Sequence, residues 1–198
     1  MALSTAPERE PTTRPEPTTR GRHWVVRRWP TWVALASAAV TFDGPGGAPV
    51  DDLAQFVIIL QLIYVVAATI GWRWLGWAGL FASVPLTMAV EAQTLVSPAT
   101  LLVGVALVVL AWGVARPQLR RSGTYATQAA GMVMFAALAL VALAAAPDLA
   151  LYLTAAGWFA HGAWDFVHLW KDRVVLRSFA EWCGVVDVLL AAELVLLA

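Results

Sequence analysis

Seven apolar runs, each closed by glycine, proline or charge, limit this chain to one kind of fold. They are residues 29–42, 53–71, 74–90, 98–115, 124–146, 149–170 and 179–197. A helix of about 20 apolar residues crosses a hydrocarbon core of about 30 Å. Read as successive spans, the runs predict an all-α, polytopic transmembrane helical bundle over residues 23–198. Composition agrees: 60% of residues are hydrophobic and 13% charged, where a soluble domain carries about 25% charged residues.

Residues 1–22 differ. Pro, Thr, Glu and Arg dominate there, and too little apolar surface is present to offset the entropy of ordering. A disordered cytoplasmic tail is expected. The first apolar run begins at Trp29, too far along for a cleaved secretory signal.

The cations test the parse. With the N-terminus in the cytoplasm and one crossing per run, the tail, Arg73, the Arg116/Arg120/Arg121 loop and the Lys171/Arg173/Arg177 loop all fall inside, which accounts for all 13 Lys and Arg. Asp43, Asp51, Asp52 and Asp148 fall outside, and so does the C-terminus. This obeys the positive-inside rule. The first run is short, its 14 residues covering roughly 21 Å as helix. Six crossings would put the arginine-bearing tail outside, so seven fit better than six. Trp24, Trp29, Trp32, Trp72, Trp74, Trp77, Trp112, Trp170 and Trp182 then form a belt at the cytoplasmic boundary. The expected setting is a cell membrane, with the lipid bilayer as partner. A net charge of zero gives no basic footprint for nucleic acid. The single cysteine, Cys183, excludes an intramolecular disulfide and reads as a small buried residue.

Ionisable residues concentrate at the end of the chain. An ionisable group at the centre of a span costs about 2.5–3.5 kcal/mol on insertion scales and is a functional candidate by default. His161, Asp165 and His168 lie at i, i+4 and i+7, on one helical stripe. The next run returns after a short basic loop with Glu181, Cys183 and Asp187. Matching depth across this hairpin pairs His168 with Glu181 and His161 with Asp187, with Asp165 between them. Ser178-x-x-Glu181 also fits a capping box at the start of the last helix. Gln61 and Tyr64 in the second run and Gln128 in the fifth are within reach of the cluster, or of interhelical hydrogen bonding.

Imidazole and carboxylate suit a divalent metal: zinc, iron or manganese. The candidate ligands are His161, Asp165 and His168. Seven residues separate the two histidines, roughly 10.5 Å along a helix, so a His–Asp pair completed by Glu181 or Asp187 is easier to build. A pair of ions sharing Asp165 is a further arrangement. Asp165, Glu181 and Asp187 are the candidate catalytic groups. Three functions compete. A metal-dependent, lipid-modifying hydrolase would use an activated water. A structural or assembly subunit would use the cluster to lock helices together. A proton-linked transporter would use it as a relay, although no internal repeat marks a carrier. No nucleotide loop, haem-attachment motif or serine elbow is present.

The pattern Gly157-Trp158-x-x-His161-x-x-Trp164-Asp165-x-x-His168, followed by Ser178 and Cys183-x-x-x-Asp187, resembles one in a family of small bacterial integral membrane proteins of unknown function. The likeness covers the last quarter of the chain. It departs at Leu169, where that family usually has a second histidine. The resemblance implies a membrane protein and no particular activity. The seven-run layout with His and Asp is also similar to that of ceramidase-like membrane hydrolases, but their histidine spacing is not reproduced here.

Overall fold

Each apolar run folds as one helix. The structure, a computed structural model, describes residues 24–41, 48–92, 95–120 and 123–196. The tail expected to be disordered and the loop over residues 42–47 lie outside the described residues. The helices are α1 (Trp29–Thr41), α2 (Val50–Ile70), α3 (Leu75–Glu91), α4 (Pro98–Ala115), a single turn α5 (Pro117–Arg120), α6 (Gly123–Ala144), α7 (Pro147–Lys171) and α8 (Arg177–Leu196). A further helical turn covers residues 24–27, and no strand occurs among the described residues. Three helices, α2, α4 and α6, are long and apolar enough to cross a membrane, and α3 is a shorter apolar helix. The two helices of the last hairpin, with 25 and 20 residues, are of spanning length and carry the ionisable cluster.

Local chemistry sets the boundaries. Ser97 caps α4, its hydroxyl accepting from the Thr100 N–H at 3.3 Å, with Pro98 in the first turn. Pro147 opens α7 in the same way, so the helix starts two residues before the expected Leu149. Gly71 ends α2 in the left-handed region at φ 78°, where a missing Cβ removes the steric cost, and its N–H donates to the Ala67 carbonyl at 2.8 Å. The loop between α7 and α8 holds two non-glycine residues at positive φ, Asp172 at 49° and Val174 at 73°. Arg73 clamps that loop from the α2–α3 turn. It pairs with Asp172 and donates to the Val175 carbonyl at 3.0 and 3.1 Å.

Helix α2 is the centre of the bundle, packed by α3, α4, α6 and α7. It buries Val57, Ile58, Gln61, Tyr64 and Val65 among others. Helices α7 and α8 form a closely packed hairpin, and α1 lies on α8. The residues α1 buries, Pro30, Ala34 and Ala38, are four apart and small, as close approach in lipid requires. Helix α6 packs on α2 and α7. Its Gly131 leaves room for Gln61 and Trp164, which a Cβ there would meet at 2.7 and 2.9 Å.

Two glycines set the hairpin spacing. A Cβ on Gly162 would stand 3.1 Å from the Asp187 Cβ and 3.2 Å from the Gly184 carbonyl oxygen. One on Gly184 would stand 3.2 Å from the Asp165 Cβ. Each aspartate therefore lies over the other helix's glycine. Because backbone cannot yield as a flexible side-chain end does, Gly162→Leu is expected to force α7 and α8 apart. The expected loss is about 1–3 kcal/mol, read as a lower thermal midpoint in detergent.

Candidate functional site

The stripe predicted on α7 exists and faces inward. Trp158, His161, Asp165 and His168 are all buried along it, and Cys183 and Asp187 are buried on the facing side of α8. Lipid exposure of this stripe would have left it without partners. Instead α2, α6 and α8 enclose it.

His161, Asp165 and Asp187 meet at the centre. His161 Nδ1 and Asp187 Oδ2 share a hydrogen bond at 2.8 Å, and Asp165 Oδ2 lies 3.3 Å from the same nitrogen. Their exposures are 0%, 0% and 1%. One donor atom from each lies within 4.8 Å of the others, so the three form a group able to hold a metal ion. The pairing of His161 with Asp187, with Asp165 beside them, matches the depth argument from sequence. Acidic groups outnumber the basic one here. Two carboxylates face one imidazole, and no lysine or arginine pairs with either aspartate among the described residues. Two polar atoms in it, His161 Nε2 and Asp165 Oδ2, are buried without a hydrogen-bond partner. Buried polar atoms are rarely left so. Closely placed carboxylates with an unused carboxylate oxygen fit a hard or borderline divalent cation.

Two expected partners lie elsewhere. His168 does not pair with Glu181 and is not among the three grouped donors. Its Nδ1 donates to the Trp164 carbonyl at 2.8 Å, and its Nε2 accepts from the Gln128 amide at 2.7 Å. Gln128 in turn accepts from Gln61 Nε2, at its backbone oxygen (3.2 Å) and its Oε1 (3.4 Å). With both ring nitrogens engaged, His168 belongs to an interhelical amide chain between α2, α6 and α7. Neither ring nitrogen points to the three grouped donors in this arrangement. Glu181 stands apart as well. It accepts from Thr31 Oγ1 at 2.6 Å and from Arg28 at 3.2 Å, fastening the start of α1 to α8. The capping-box reading also gives way. Helix α8 begins at Arg177, and the Ser178 hydroxyl accepts from the Trp77 indole at 3.2 Å. The two groups Glu181 meets are not among the three grouped donors.

Tyr64 joins the centre from α2, its hydroxyl donating to Asp165 Oδ1. The sequence singled it out only as one of three mid-span polar residues. The reciprocal glycines were a clearer signal, because Gly162-x-x-Asp165 and Gly184-x-x-Asp187 repeat one motif on the two helices. A glycine three residues before each aspartate lets the facing helix bring its own carboxylate in.

A cleft lies between α1, α2, α3, α7 and α8. It has a volume of ≈ 720 Å³ and is walled by Phe56, Trp77, Trp158, Trp182, Val186 and Leu190, among others. Trp158 forms part of that wall one turn before His161, with its indole N–H donating to the Leu53 carbonyl at 3.1 Å. None of the described cavities is lined by His161, Asp165 or Asp187. No family model matches the chain, and comparison with curated proteins and with solved structures likewise finds no match.

The Glu181 clasp carries its own test. Glu181→Ala removes the acceptor shared by Thr31 and Arg28. Amide hydrogen exchange is expected to speed up across residues 29–41, while protection in the middle of α7 stays unchanged.

Proposed function

We propose that this chain is a seven-span integral membrane protein, N-terminus cytoplasmic and C-terminus outside. In this reading His161, Asp165 and Asp187 hold a divalent metal ion inside the bundle, and the centre serves a lipid-modifying hydrolase. One observation carries the metal assignment: three buried donor groups converge, two carboxyls on one imidazole, and no lysine or arginine among the described residues pairs with either aspartate. An unpaired buried charge costs several kcal/mol in low dielectric. A divalent cation beside a neutral imidazole would cancel both carboxylates. One nitrogen and two carboxylate oxygens suit zinc, iron or manganese. Bound there, such an ion supplies Lewis-acid polarisation and activation of water at neutral pH.

The topology has support from contacts at one end of the bundle. Arg73 reaches the α7–α8 loop and Arg28 reaches Glu181, so three cation-bearing segments gather at one level. Asp52 and Glu193 line the cleft away from that level. The 13 residues of α1 cover about 20 Å as helix, short for a span, so its crossing rests on the charge pattern. The hydrolase reading rests on the cleft. Its walls are apolar and aromatic, it adjoins Trp158, and a bilayer offers alkyl chains to fill it.

A second reading has one observation in its favour. The three groups are enclosed, with no described cavity reaching them, as suits a polar lock between α7, α8 and α2. Metal analysis of detergent-purified protein decides between the two. The metal reading expects about one divalent ion per chain, retained in His168→Ala and lost in Asp187→Ala and in the milder Asp187→Asn. It also expects lipid ester or amide cleavage in mixed micelles that chelation abolishes. Folded wild-type protein free of metal would overturn it in favour of the lock. Labelling of single cysteines introduced near residue 22 and near residue 148 checks the topology, with the first reachable only from the cytoplasmic side and the second only from outside.

A further inference from the structure

Resting on that metal reading, we propose that Tyr64 is the positioning residue of the centre, fixing which oxygen of Asp165 faces the ion. Tyr64 is fully buried on α2, outside the hairpin that supplies the three donor groups. Its hydroxyl donates to Asp165 Oδ1. That bond occupies one carboxylate oxygen and turns the other, Oδ2, toward His161 Nδ1 at 3.3 Å, where it has no hydrogen-bond partner. The phenol ring has little freedom to swing away. It lies edge-on to His168 at 4.9 Å and to His161 at 5.8 Å between ring centroids, and Phe179 stands 6.2 Å from it.

The residue type matters. A lysine or arginine at this position would orient Asp165 equally well, but its charge would neutralise the carboxylate and compete with a cation. A phenol donates one hydrogen bond and leaves the negative charge available. Partners that hydrogen-bond a ligating carboxylate fix its orientation, and losing one typically costs 10–100-fold in metal affinity. Because Tyr64 belongs to α2, the same bond couples ion binding at the hairpin to the central helix of the bundle.

Tyr64→Phe keeps the ring and deletes the oxygen. Competition with a chromophoric chelator, using zinc as probe on the full-length protein in detergent, is expected to show affinity lowered about 10–100-fold. The rise in thermal midpoint on adding zinc should shrink in step, a readout that loss of packing alone would not move. Tyr64→Gln, which restores an N–H donor without a positive charge, is expected to bind zinc more tightly than Tyr64→Phe. It also serves if Tyr64→Phe does not survive purification, because it must then outbind Tyr64→Leu. Wild-type zinc affinity in Tyr64→Phe, or no gain from the restored donor, would overturn the assignment while leaving the centre standing. Wild-type protein that binds no zinc would overturn the centre and this inference together.

Discussion

Two carboxylates buried beside one imidazole, in a bundle whose other interior is mostly hydrocarbon, are the constraint around which this structure is organised. Apolar helices alone would pack in many registers, because lipid and leucine are nearly equivalent neighbours. The His161–Asp165–Asp187 group brings one donor atom from each residue within 4.8 Å of the others. Helix α2 must present Tyr64 to it, and α7 and α8 must approach to within the reach of short side chains. Polar groups are costly enough in this setting that their partners fix the geometry of everything apolar around them.

Glycine is what makes that approach possible. Asp has a short side chain, so opposing carboxylates converge only if the backbones come close. Gly162 and Gly184, each three residues before an aspartate, remove the Cβ atoms that would stand between the helices. Farther out, the bundle is held by ordinary means: small residues on α1, a Trp29–Trp77 stack at 6.1 Å, and the arginine clamp on the α7–α8 loop. The amide chain through Gln61, Gln128 and His168 is a second polar seam, parallel to the centre and separate from it.

The helices were legible in the sequence because apolar length and charge punctuation act locally. Each helix lies within three residues of its apolar run, and the inward stripe on α7 follows from 3.6-residue periodicity alone. The pairing of His161 with Asp187 followed from depth along an antiparallel hairpin. What depth does not supply is azimuth. His168 and Glu181 sit at comparable levels but turn to different neighbours, one toward α6 and the other toward α1. Those neighbours are 40 and 150 residues away in the chain, and no local spacing encodes them. The same reason hid Tyr64, whose partner is 101 residues on.

X-ray absorption on purified protein loaded with one equivalent of zinc tests the central claim most directly. The account predicts a tetrahedral or five-coordinate first shell of nitrogen and oxygen at about 2.0–2.2 Å, with scattering from a single imidazole. A shell of two or more imidazoles, or of water alone, would contradict it. So would a spectrum unchanged by Asp187→Asn.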